Sequence, residues 1–226
     1  MTPSVQGLRL DLMHLRAVLH PVDAPPAGPG WNHHELEGLL PDGPLREAAV
    51  LVGLVTRGDG WQVLLTRRTD DLRHHAGQVS FPGGRIEPGD RSPIDTALRE
   101  SQEEIGLEPR YAAPVGFLDP LCTITGFRVM PLVAMVDPEF VARPDPGEVA
   151  EVFEVPLDYL LDPANLNALD FTTFAGRPIP GGRPRRVLEY VDRGNPRQRI
   201  WGATASILYN LRERVAASTS TPATPG

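Results

Sequence analysis

The chain has 226 residues with a formal net charge of −7; hydrophobic residues make up 41% and charged residues 23%, so a buried core is feasible and wholesale disorder is excluded. The acidic balance argues against a general nucleic-acid binder, and one cysteine, Cys122, rules out internal disulfides and multi-cysteine metal sites. All 22 basic residues are arginine, so chemistry that needs a lysine amine, including a Walker-type phosphate loop, is excluded.

In chain order, Leu8, Leu12, Leu15 and Leu19 fall at helical spacing and predict a short amphipathic N-terminal helix. Met1 to Gly7 lacks the pattern of a signal peptide, and the longest mainly apolar run, Ala48 to Val55, is too short for a membrane helix. A soluble, cytoplasmic protein is the expectation. Residues 21–30 are rich in Pro and Gly and read as a linker. Ala48–Thr56 and Trp61–Thr66 read as strands joined by the Gly-containing break Arg57–Gly60, a hairpin signal. Further strands are predicted at Val115–Leu118, Val129–Val136, Val152–Val155 and Val187–Val191, and helices at Pro93–Ile105 and from Ala203 to about Val215. Ala216 to Gly226 is small, polar and Pro-containing, and reads as disordered. Mixed strands with few helices indicate an α/β or α+β sandwich.

The segment GGRIEPGDRSPIDTALRESQEEIGL, residues 83–107, carries the most chemistry. Ser92 is an N-cap, Pro93 suits the first helical position, and Gly106 a C-terminal stop. Ile94, Ala97, Leu98, Ser101 and Ile105 share the face that packs on the sheet, while Glu100, Glu103 and Glu104 lie together on the other side. Clustered carboxylates repel one another. A hard divalent cation turns that repulsion into oxygen coordination; a solvated acidic face is the plain alternative. The Gly83-Gly84 pair, which lets backbone approach closely, and Arg99, placed to pair with the glutamates, favour the cation.

These residues resemble the Nudix hydrolase signature GX5EX7REUXEEXGU at Gly84, Arg99-Glu100, Glu103-Glu104 and Gly106-Leu107. Asp90 takes the first acidic position, eight residues rather than seven separate it from Arg99, and Ser101 replaces an aliphatic residue. The resemblance implies an α/β (α+β) fold, an α/β/α sandwich with a mixed β-sheet plus the two terminal helices. It implies metal ligation by Glu100 and Glu104, with Glu103 and the Gly84 carbonyl behind them, orientation of a glutamate by Arg99, and Mg²⁺ with Mn²⁺ tolerated as cofactor. It leaves the role of Asp90 open. Upstream, LLTRRTDDLRHHAGQVSFPGG at residues 64–84 is similar to the additional motif of the coenzyme A pyrophosphatase branch, LLTXR(S/A)X3RX3GX3FPGG, with Thr69 in place of Ser or Ala. WGAT at Trp201–Thr204 is a weaker echo of that branch.

That similarity implies hydrolysis of the coenzyme A diphosphate, with Arg67, Arg68, Arg73, Gly77, Phe81 and Gly83 as candidate substrate-binding residues. Guanidinium forks suit phosphate, though a solvated arginine at a strand end is the alternative for each. Adjacent His74 and His75 seldom face one site together, and Cys122 reads as a small buried hydrophobe. Glu103, with Arg99, belongs to the catalytic set, and Glu148 and Glu151 are the candidates for a general base from a later loop. The arginine-rich residues 177–199 read as a solvated loop, with contact to substrate phosphates or to a partner subunit as the alternative. The expected division is 1–30 N-terminal helix and linker, 31–215 Nudix hydrolase domain and 216–226 disordered tail. A small-molecule partner is expected, with no nucleic acid and no membrane. Hydrolysis of ADP-ribose, NADH or another nucleoside diphosphate derivative, a nucleotide-sensing module without turnover, and a diphosphate isomerase stay open as alternatives.

Overall fold

A computed structural model describes residues 10–58, 60–71, 75–174, 177–178, 185–191 and 193–219. In chain order the elements are α1 (Leu12–Val18), β1 (Arg46–Arg57), β2 (Gly60–Arg68), β3 (Val79–Ser80), β4 (Gly83–Arg85), α2 (Pro93–Ile105), β5 (Ala112–Phe117), β6 (Leu121–Thr123), β7 (Phe127–Val136), β8 (Val149–Pro156), α3 (Leu157–Leu161), β9 (Leu166–Phe171), β10 (Thr173–Phe174), β11 (Arg177–Pro178), β12 (Arg185–Tyr190) and α4 (Gly202–Thr219).

Strands β1–β8 form one mixed sheet in which β1 and β7 run parallel, in register from Arg46↔Phe127 to Val55↔Val136, and all other pairs are antiparallel. The β1–β2 hairpin pairs only over Leu54–Arg57 and Gly60–Val63, after which the two strands splay apart. Into the gap comes the segment 79–85: β3 pairs with Thr66 and Arg67 of β2, and β4 pairs with Ala48, Ala49 and Val50 of β1. Phe81 and Pro82 make the crossing, with the Pro82 carbonyl accepting from Leu51 N at 2.8 Å.

Period-two alternation divides the core between the faces of the sheet. Ala48, Val52 and Leu54 of β1 pack on one side with Leu15, Leu160 and Leu208 of α1, α3 and α4, whereas Ala49, Leu51 and Val55 pack on the other with Ala97 and Ile105 of α2. The result is the α/β/α sandwich with a mixed sheet and terminal helices that the sequence predicts. The helix α4 runs to Thr219, four residues past its expected end and into the segment read as disordered; 220–226 lie outside the described residues.

The α1 helix is part of the core, since Leu15, Val18 and Leu19 are buried. His20 bridges to Phe117 of β5 through N–H···O bonds of 2.9 and 2.8 Å in the two directions. Its ring meets Asp119 at 2.8 Å, and Asp119 also accepts from Arg214 Nη1 at 2.8 Å and Asn210 Nδ2 at 2.9 Å, which ties both ends of the chain to the β5–β6 turn. Residues 21–30, read as a linker, are strapped to the sheet, because Arg128 donates to the Gly28 and Pro26 carbonyls at 2.6 and 2.9 Å. Among the described residues no helix is long and apolar enough to cross a membrane.

Candidate active site

The bounds of α2 come from its ends. Ser92 Oγ accepts from Asp95 N at 3.3 Å, Pro93 opens the helix where no N–H partner is needed, and Gly106 closes it in the left-handed region at φ +72° with its N–H on Gln102 O. Ser101, where an aliphatic residue is usual, is buried and bonds back to Ala97 O at 2.6 Å. A strap from the loop before β8 reaches the last turn: Arg143 N donates to Ile105 O and Asp145 N to Glu104 O, at 2.8 and 2.9 Å.

The splayed strands bring the glycine pair against this helix. A Cβ on Gly84 would lie 2.4–2.6 Å from the Glu100 carboxyl group, so the absence of a side chain is what seats Glu100 there. Gly83, at φ +152°, sends its N–H toward Glu104. Glu104 is 4% exposed, while Glu103 faces solvent.

Arg99 organises the cluster. Its Nε and Nη2 donate to the two oxygens of Asp90 at 3.1 and 2.9 Å, its Nη1 to Glu100 at 2.9 Å and Glu103 at 3.3 Å, and its Nη2 also to Arg85 O at 3.1 Å. Asp90 accepts further from Thr96 Oγ1 at 2.8 Å and Glu87 N at 2.9 Å. Its place, open in the sequence, is therefore behind Arg99, holding that guanidinium and not the ligand face. Thr96, fully buried, went unread because no motif position marks it; its signal is only its place one helical turn before Arg99.

The electrostatics follow from this packing. The Arg99 hydrogen bonds hold the Asp90 carboxyl well below the usual carboxylate range. Burial raises Glu100, opposed by its bond from Arg99 and reinforced by Glu103 and Glu148. Burial pushes Glu104 up to about 8, with Glu100 and Glu148 adding to the rise while Arg68 and the Gly83 N–H oppose it.

Adjacent residues on a strand point to opposite faces, and this sorts the other candidates. Arg68 lies on the α2 side, with Nη1 3.7 Å from Glu104 and Nη2 3.7 Å from Glu148. Arg67 lies on the other side of β2, buried, with Nη1 on Asp70 at 3.1 Å and Nε 3.7 Å from Glu151. Glu151 also accepts from Gln198 Nε2 at 2.7 Å. The structure thus brings together Glu100, Glu103, Glu104, Arg99, Gly83, Gly84, Arg68 and Glu148, and it does not bring Arg67 or Glu151 to them. Phe81 is buried in the core of the α4 face, with no surface to offer a ligand. Gly77, at φ +67°, turns the chain back so that its N–H meets Thr69 O at 3.2 Å. Thr204 of the WGAT segment fixes α4 to β3 through Val79 O at 2.9 Å. Cys122 is buried, as expected of a small hydrophobe, with its backbone doubly bonded to Asn32. Arg73 and His74 lie outside the described residues, as does part of the segment 177–199.

Among the described residues no three potential ligands converge tightly enough to hold an ion as they stand. The donor set nevertheless fits a hard divalent cation. Glu100 and Glu104 are oxygen donors one helical turn apart, both raised by burial and by acidic neighbours, and the Gly84 cradle keeps the first against the backbone. Among the described residues Glu100 takes counter-charge from Arg99 at 2.9 Å, and Glu104 from the more distant Arg68 at 3.7 Å.

A family model described as NUDIX domain matches residues 45–175. The protein named Uncharacterized Nudix hydrolase NudL of Pectobacterium atrosepticum is 39% identical over 171 residues, covering 76% of this chain and 83% of that protein. The protein of the same name from Photorhabdus laumondii is 38% identical over 170 residues, 75% of this chain and 85% of its own. Among solved structures, the MutT protein from Methanosarcina mazei Go1 is similar at 23% identity over 54% of this chain and 83% of that chain, with a TM-score of 0.43.

Proposed function

The chain belongs to the Nudix hydrolase family, and from that premise we propose that it cleaves the diphosphate of coenzyme A to 3′,5′-ADP and 4′-phosphopantetheine. Glu100 and Glu104, with Glu103 and the Gly84 carbonyl beside them, would hold Mg²⁺ or Mn²⁺. When bound, such an ion neutralises diphosphate oxygens and lowers the pKa of water. Arg99, pinned by Asp90, keeps Glu100 turned toward the site. Arg68 offers its guanidinium to a diphosphate oxygen, and Glu148 takes the proton of the attacking water on its carboxylate. Glu148 is preferred to Glu151 as base because it shares Arg68 with Glu104 on the α2 side of the sheet.

One observation carries the choice of coenzyme A. The motif at residues 64–84 ends in the glycine pair that abuts Glu100 and Glu104, and it sets Arg68 opposite them. The test is product analysis by mass spectrometry after incubation with Mg²⁺ and coenzyme A, ADP-ribose, NADH or a nucleoside triphosphate. The expected result is 4′-phosphopantetheine, formed faster than any other product. Turnover of another compound but not coenzyme A discards the substrate reading and keeps the carboxylate helix. No turnover of anything, with metal binding intact, favours a sensing module.

A further inference from the structure

A general base works only if its carboxylate is held within reach of the proton it takes, and the Glu148 side chain is not held by its own contacts. The carboxylate is half-exposed, and its ion pair with Arg68 Nη2 is 3.7 Å long. Its position has to come from the backbone that carries it. That backbone is the loop between β7 and β8, seated at its two ends in the core of the α2 face by Phe140 and Val149.

The loop uses every amide it has. From Arg143 to Val149, Pro144 and Pro146 carry no N–H, and the five remaining donors are all bonded. Arg143 N and Asp145 N reach the last turn of α2, the second on the carbonyl of Glu104 itself. The other three converge on one residue. Gly147 N donates to Asp145 Oδ1 at 2.7 Å, and Glu148 N and Val149 N donate to Asp145 O at 3.1 and 2.8 Å. The Glu148 carbonyl in turn accepts from Thr69 N at 2.9 Å. Asp145 therefore holds the carboxylate helix by its amide, and by its carbonyl and carboxylate it holds the segment that carries the base. The flanking prolines restrict the backbone of Arg143 and Asp145 and lower the entropy that ordering the loop costs. The one residue between Pro146 and Glu148 is a glycine, free to drift unless its N–H is pinned. Asp145, although exposed, turns a carboxylate oxygen inward to pin it.

We propose that Asp145 is a positioning residue for the proton transfer, fixing Glu148 and the carboxylate helix in one frame before substrate arrives. Its side chain acts on the base through Gly147, and its amide holds only the Glu104 carbonyl, which leaves the Glu104 carboxylate to the cation. This deepens the proposed function and rests on Glu148 as the base, but not on coenzyme A as the substrate.

The test is steady-state kinetics of the full chain on the compound it cleaves fastest, with a Mn²⁺ titration in the absence of substrate. Asp145→Ala is expected to lower kcat about tenfold, with KM and Mn²⁺ affinity within about twofold of wild type. Asp145→Asn, which keeps an acceptor for Gly147 N, should recover most of that loss. Because Asp145 acts through Glu148, the Asp145→Ala/Glu148→Gln double variant should be no slower than Glu148→Gln alone. Circular dichroism checks the fold, and if Asp145→Ala does not keep it, Asp145→Glu, which displaces the acceptor by one methylene, is read in its place. A double variant about tenfold slower than Glu148→Gln overturns the positioning role and leaves the base standing. So does Asp145→Ala at wild-type kcat while Glu148→Gln is slow, or a Mn²⁺ affinity about tenfold weaker in Asp145→Ala. Glu148→Gln at wild-type kcat overturns the base, and the role of Asp145 with it.

Discussion

A methyl group added to Gly83 and one added to Gly84 meet different neighbours, though the residues are adjacent. At Gly83 it would lie 2.4 Å from Ala49 O and 2.6 Å from Val50 Cα, fixed backbone of the central strand, and φ is +152°. At Gly84 its three nearest atoms would all belong to the Glu100 carboxyl group, the far end of a side chain that can swing away. Gly83→Ala is therefore expected to lower stability by about 2 kcal/mol or more. Gly84→Ala should stay within about 1 kcal/mol of wild type but bind Mn²⁺ about tenfold more weakly, as loss of an orienting partner does. Thermal melts and a Mn²⁺ titration separate the two; equal destabilisation would refute the cradle. Glu104 gives the pH dependence. Its folded-state pKa, about 8, lies above the ordinary 4.5, so the folded chain holds that proton more tightly than the unfolded one. Its contribution is whole below about 4.5 and is lost as pH rises toward 8. In EDTA, Glu104→Gln should gain on wild type by a few kcal/mol as pH rises across that window, and a constant gap between their melting temperatures would contradict it.

For the elements, the pivotal pairing is between the loop before α2 and the helix itself. Asp90→Asn removes the anion that fixes Arg99 while leaving the guanidinium half-buried, and should cost about 3 kcal/mol in denaturant unfolding and lower kcat about tenfold, with KM little changed. The helix was legible down to both ends, because Ser92-Pro93 and Gly106 are local signals that need no tertiary context. The sorting of candidates was legible too, but by a rule the motif match obscures. Arg67 and Arg68 are neighbours on a strand, so only one can face the carboxylates. Glu148 and Glu151 stand three apart across an irregularity between Arg67 and Arg68, and they too reach different sides. Phe81 matches a motif position and serves the core. What local sequence could not show is the insertion of β3 and β4 between splayed strands, since two- and three-residue strands have no periodicity of their own and exist through partners 12 to 37 residues away.

On the scale of the whole molecule, the family match begins at residue 45, yet the packing begins at α1. Leu15 is fully buried, Val18 and Leu19 nearly so, and Arg214 of α4 donates to Val18 O at 2.5 Å. Deleting residues 1–20 should cost on the order of 5 kcal/mol, at about 1.5–3 kcal/mol for each of these side chains, a large share of the stability of a domain this size. Melting temperature and ANS binding check it; a truncated chain as stable as the whole would mean that α1 only rests on the sheet.

The parallel pairing of β1 with β7 has a consequence in time as well as in space. From Arg46 to Val55, each residue of β1 finds its β7 partner 81 positions later, as Arg46 does in Phe127, and among the described residues the splayed part of β1 otherwise pairs only with β4. On the ribosome the central strand therefore waits for most of the sheet to be made, and the carboxylate helix emerges before the surface that will cover its apolar side is complete. Chains with such distant partners fold slowly. The half of this molecule that carries the carboxylate helix is synthesised early and assembled late, and its unpaired strand edges are open to aggregation meanwhile.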